Sequence, residues 1–82
     1  MNKDRQKLIE VLEWFYNKAG VRTERFAHDF YQKWDMSQSQ ARKIVYGLEA
    51  AGMLERSGDN KAAHYFLSDL GLEVLVAIKE KA

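Results

Sequence analysis

SQSQARKIVYGLEAAGMLER, residues Ser37 to Arg56, is the stretch on which the architecture turns. Ser37 and Gln40 match the capping box S-x-x-Q, in which the serine hydroxyl accepts from the Gln40 N–H and the glutamine side chain reaches back. A helix starting there carries Ala41, Ile44, Val45 and Leu48 at i, i+3, i+4 and i+7, a single apolar face. It should stop near Ala51, where Gly52 offers a cheap left-handed position. The outward positions are then Gln38, Ser39, Gln40, Arg42, Lys43 and Tyr46. Glutamine can pair with two atoms of adenine and arginine with two of guanine, while serine, lysine and tyrosine can hold phosphates. No acid occurs between Met36 and Leu48, so none is expected on this face to oppose a phosphate backbone. A solvated helix face in any small protein also looks polar, so the neighbouring elements must decide.

Upstream, Leu8, Val11, Leu12, Phe15 and Ala19 recur at helical spacing, which predicts a first helix from about Asp4 to Lys18 with Gly20 at its C′ position. Val21-Arg22 reads as a short extended link. Thr23 is placed to cap a second helix, with Glu24 in the first turn where the helix dipole favours an acid. Phe26, Ala27, Phe30 and Trp34 share its inner face, and Asp35-Met36 makes a tight turn into the third helix. Downstream, Met53–Arg56 and Ala63–Leu67 read as two short strands joined by the turn cluster Ser57-Gly58-Asp59-Asn60-Lys61. Tyr65 and Leu67 should face one side of the hairpin, His64 and Phe66 the other. Ser68 caps a last helix that begins at Asp69 and carries Lys79 and Lys81 near its end. The order is helix, helix, helix, strand, strand, helix: mainly α with a small β-hairpin, in a single domain spanning 1–82.

The inventory of reactive groups excludes more than it suggests. Eighty-two residues contain no cysteine, two histidines, and 46% apolar side chains including four Phe, four Tyr and two Trp. Neither disulfides nor zinc can staple such a chain, so an apolar core must hold it. A triad or histidine-rich metal site cannot be assembled from His28 and His64, expected on an exposed helix face and the outer side of the hairpin. The glycines form no phosphate cradle. We therefore expect no enzyme, no metal and no cofactor. No apolar run approaches the ~20 residues that span a bilayer, and a cytoplasmic location is the expectation. Thirteen basic and twelve acidic residues give a net charge of +1, but residues 1–43 hold nine Lys/Arg against six Asp/Glu, and residues 44–82 four against six.

SQSQARKIVYGLEAAGMLER resembles the recognition helix and first wing strand of winged helix-turn-helix transcription regulators: a polar cap, a basic helix, a Leu-Glu pair, then Gly and an apolar dipeptide. HYFLSDLGLEVL, His64 to Leu75, is similar to the second wing strand and following helix of the multiple-antibiotic-resistance regulator and related groups. The likeness runs from about residue 8 to 76. It implies a winged-helix fold with Gln38, Ser39, Gln40, Arg42, Lys43 and Tyr46 toward DNA, and Arg56 and Lys61 flanking or tipping the wing. The wing is short and mildly basic, and the extra helices with which longer regulators dimerise and bind small effectors are not expected here.

The expectation is thus a small transcription regulator that binds double-stranded DNA sequence-specifically, with its third helix (about 38–51) in the major groove. Lys43, Arg25 and Lys61 would neutralise phosphates, and Gln38, Gln40 and Arg42 would read bases. A small-molecule effector is not expected. The alternative is a protein–protein interaction adaptor built on the same fold. On the last helix Leu70, Val74, Ala77 and Ile78 form one face, expected to pack on the domain. Leu72 and Val76 point away, and Leu75 lies between. A helix apolar on two sides needs two partners, which predicts a homodimer through Leu72 and Val76, shared with Trp14 or Ile9 of the first helix.

Overall fold

Five large aromatic rings in the first half of the chain need a common home, and in the computed structural model they form one seam. The structure describes residues 3–18, 20–58 and 63–81. They build α1 (Lys3–Tyr16), α2 (Thr23–Trp34), α3 (Gln38–Ala50), β1 (Leu54–Ser57), β2 (His64–Leu67) and α4 (Asp69–Lys81). Along the α1–α2 interface Phe15 meets Phe26 at 5.3 Å between ring centres, Phe26 meets Phe30 at 5.0 Å, and Phe30 stacks on Trp34 at 4.3 Å. Trp14 stands edge-on to Phe15 at 4.9 Å. Such pairs add about 0.5–1.5 kcal/mol each beyond the burial of their area. Leu12, Phe15, Phe26 and Val45 are the largest fully buried side chains, so α1, α2 and α3 meet at the centre.

The predicted order of elements is the observed one, with shifts at the edges. α1 ends at Tyr16, short of Lys18, so Gly20 is not its C′ residue, although it does take a left-handed φ of 106°. Arg22, not Thr23, occupies the N-cap of α2 and makes no side-chain cap bond; Thr23 is already helical. Asp35 closes α2 in the left-handed region, φ 51°, which the short polar side chain of Asp tolerates. The capping box of α3 forms as expected. At its other end Gly52, φ 84°, lets its N–H reach Glu49 O at 2.9 Å and the Met53 N–H reach Leu48 O at 2.9 Å, the two bonds of a Schellman stop.

β1 and β2 pair antiparallel, with Leu54 opposite Leu67, Glu55 opposite Phe66, Arg56 opposite Tyr65 and Ser57 opposite His64. Tyr65 is buried and Leu67 half-buried, while His64 and Phe66 are exposed, the expected alternation. The Val21-Arg22 link does more than connect. Val21 and Tyr65 exchange both backbone bonds, at 3.2 and 2.8 Å, so Val21 flanks β2 on the edge that β1 leaves open.

The packing of α4 corrects the expectation. Gly71 and Leu75 are buried, and Val74 and Ile78 lie partly buried against the core. Leu70 is 47% exposed and Ala77 is exposed as well. The inward stripe is Gly71, Val74, Leu75 and Ile78, rotated from the predicted one because the helix approaches backbone-first. A Cβ on Gly71 would collide with the Met53 carbonyl oxygen and lie 2.6 Å from Leu67 Cδ1. Ser68 seals the junction: its hydroxyl accepts from Gly71 N at 2.9 Å and donates to Gly52 O at 2.5 Å.

Two glycine substitutions should therefore move stability in opposite directions. Gly71→Ala is expected to destabilise by about 1–3 kcal/mol through overpacking. Gly47, on the exposed side of α3, has only open space within 4 Å of the point a Cβ would occupy, so Gly47→Ala should stabilise by about 0.5–1 kcal/mol. Urea unfolding of the two variants checks both signs.

Candidate nucleic-acid interface

α3 owes its exposure to how its two ends are held. At the start, Ser37 Oγ accepts from Gln40 N at 3.2 Å while the Gln40 carboxamide oxygen accepts from Ser37 N at 3.0 Å. Ala41, Val45 and Leu48 are buried and Ile44 half-buried, leaving Gln38, Ser39, Gln40, Arg42, Lys43 and Tyr46 all exposed. At about 100° per residue, Ser39, Lys43 and Tyr46 form the outermost line. Gln38 and Arg42 lean toward the start of α2, where they share a narrow cleft with Thr23 and Glu24. Gln40 and Lys43 border a second cleft on the α1 side, with Lys7, Trp34 and Ile44.

This geometry ranks the six side chains. Gln40 has its carboxamide oxygen committed to the cap, so pairing with two atoms of adenine would require opening the capping box. Gln38 carries no such bond among the described residues. Arg42 and Lys43 make no ion pair among the described residues, and neither does Lys7, whose ammonium sits 5.1 Å from the Trp34 ring centre. Lys7 is a cation on this side that the sequence does not reveal, because it belongs to a different helix.

The other expected contacts are more restrained. Arg25 lies on α2 with Nε 3.4 Å from Asp29 Oδ1. Arg56, the third residue of β1, has Nε 3.5 Å from Glu49 Oε2 at the end of α3. Lys61 lies outside the described residues. The expectation of a face free of acids needs correction: Glu24 borders the cleft beside Gln38 and Arg42, and Glu49 flanks the far end. Glu24 comes from α2 and Glu49 from the last turn of α3, both beyond the acid-free run. Glu24 was legible only as a helix-start acid.

Asp29 is the electrostatic hinge between α1 and α2. Burial alone would push its carboxyl up, but hydrogen bonds from Trp14 and His28, with the Arg25 guanidinium, outweigh that and hold it below the usual carboxylate value. Trp14 Nε1 donates to Oδ2 at 2.9 Å. Among the described residues, no group of three or more His, Asp or Glu side chains could hold a metal ion.

A solved structure of a MarR family protein from Bacillus stearothermophilus matches this arrangement with a TM-score of 0.74 over 99% of the chain, at 16% sequence identity. The fold is a winged helix. No family model and no curated protein matches the sequence. The chain spans about half the length of the MarR family structure, covering 53% of it. Within the winged helix, α2 and α3 are the helix-turn-helix pair, β1 and β2 are the wing, and α4 packs beneath the wing's root.

The depressed Asp29 value has a definite sign. A carboxyl whose folded-state pKa lies below its unfolded value of about 3.9 contributes stability that is complete above that value and lost as pH falls through the folded pKa. Asp29→Asn should remove this part of the acid sensitivity, so its stability relative to the parent improves as pH falls below about 4. Unfolding curves for the pair across the acid range read the difference directly.

Proposed function

We propose that this winged helix is a small transcription regulator that binds double-stranded DNA sequence-specifically, with α3 in the major groove. The observation that carries the reading is the outer face of α3. A capped helix about 20 Å long holds Gln38, Ser39, Gln40, Arg42, Lys43 and Tyr46 outward, with two cations that make no ion pair among the described residues. A groove about 12 Å wide admits such a helix. Arg42 and Gln38 suit base edges, Lys43 and Tyr46 suit phosphates, and Lys7 adds a charge on the α1 side. Arg25 and Arg56 can turn to phosphates at small cost, because exposed ion pairs of this kind hold by about 0–1 kcal/mol. Lys61 is the phosphate contact this reading assigns to the wing. The reading requires neither a cofactor nor a small-molecule effector. No helix of the described residues is long and apolar enough to cross a membrane, and a DNA partner implies the cytoplasmic location expected from the sequence.

The same reading includes a homodimer through α4. Leu72 is 38% exposed and Val76 47%, whereas Leu70, 47% exposed, lies on the other flank of the helix near Gly52. Ile9 is 5% exposed and belongs to the core of its own subunit, and Trp14 is committed to the aromatic seam, so neither of these two residues of the first helix joins that contact. Tyr16 and Phe66, which line a shallow groove with Leu72, are better candidates. A two-fold pair would present two α3 helices to half-sites about 34 Å apart. The exposed apolar side chains of α4 equally support the second reading, a protein adaptor whose contact is this helix.

Fluorescence anisotropy with labelled random duplexes separates the two. DNA binding through about 4–6 phosphates should weaken with salt at a log–log slope near −4 to −5, whereas an apolar protein contact scarcely responds. Arg42→Ala with Lys43→Ala should abolish DNA binding and leave the melting temperature unchanged, since neither side chain is in the core. Equal binding by the double variant would remove α3 from the interface. Leu72→Glu with Val76→Glu is expected to yield a monomer in analytical ultracentrifugation, and a parent that is already monomeric at high concentration would exclude the dimer.

A further inference from the structure

Glu24 stands where a surface built only to hold phosphate would not place it. It lies in the first turn of α2, its side chain is 63% exposed, and Arg22 approaches it at 3.8 Å. With Thr23, Gln38 and Arg42 it lines one narrow cleft. A carboxylate there repels a sugar-phosphate backbone, so it weakens binding to every duplex alike unless the duplex offers it a donor. The walls of the cleft are opposite in chemistry: Arg42 offers a fork of donors, and the Glu24 carboxylate only acceptors. The major-groove edge of a G·C pair carries the complementary pattern, with O6 and N7 accepting on guanine and the N4 amino group donating on cytosine.

Resting on the DNA-binding reading above, we infer that Glu24 is a specificity determinant, accepting from a cytosine N4 amino group while Arg42 donates to guanine in the same or the adjacent pair. Where that donor is missing, the carboxylate is left with only the 3.8 Å approach of Arg22 and the complex is disfavoured. Discrimination then comes from a repulsive element against wrong sequences as well as from an attractive one toward the right sequence.

The test compares duplexes selected from a random pool by the parent, by Glu24→Gln and by Glu24→Asp. Glutamine keeps the length without the charge, and aspartate keeps the charge one methylene short. The parent's selected sites should share a G·C pair at a fixed position. Glu24→Gln should bind unselected duplexes several-fold more tightly, and its ratio of selected to unselected affinity should fall by roughly 5–50-fold. Glu24→Asp should keep the weak unselected binding and lose the preference for cytosine. A purely structural role at the start of α2 would shift the melting temperature of Glu24→Gln and leave that ratio unchanged. A ratio of selected to unselected affinity that stays at the parent's value in both variants, or unselected binding no tighter in Glu24→Gln, overturns the role of Glu24 while DNA binding stands. A parent that binds no duplex even at low salt overturns both.

Discussion

Everything in this small fold hangs on the junction where α3 ends, β1 begins and α4 starts. Ser68 holds it from both sides: its N–H donates to Met53 O at 3.0 Å and its hydroxyl to Gly52 O at 2.5 Å. The same hydroxyl accepts from Gly71 N, and the missing Cβ of Gly71 lets α4 rest on the Met53 backbone. Three elements thereby meet at backbone distance. The tilt of α3 is set at its far end by this junction and at its near end by the capping box and α2.

The parts of the structure that local chemistry determines were legible in the sequence, and the parts that depend on distant neighbours were not. The capping box, the glycine stop after Ala51, the inner face of α3 and the alternation of Tyr65 and Phe66 are written in adjacent residues. The inward face of α4 is not, because Leu70, Leu72, Val74, Leu75, Val76, Ala77 and Ile78 surround the helix with apolar groups. Periodicity cannot select a face when nearly every face qualifies. What selects it is Gly71, whose importance lies in the approach of Met53, far away in the chain. Val21 joins β2 for a similar non-local reason, and the N-cap of α2 falls on a residue with no capping chemistry at all.

The electrostatic character of the α3 face also differs from the simple tally of charges. Arg25 faces Asp29, Arg56 faces Glu49, and Lys33 pairs with Glu10, so several basic residues near the surface have an acidic neighbour. These pairs are solvent-exposed and weak. They lower the resting field without locking the cations away. A near-neutral total charge and a locally basic helix are compatible on these terms.

The short bridge between Val21 and Tyr65 has a bearing on solubility during folding. A two-stranded sheet normally exposes two rows of unpaired backbone groups, each a template for another chain. Here the link before α2 covers part of the β2 row. The remaining open row, on β1, carries Glu55 and Arg56, charged residues that discourage a neighbouring strand from docking. Removing that link, rather than weakening the core, is the change that would turn this domain toward strand-mediated aggregation.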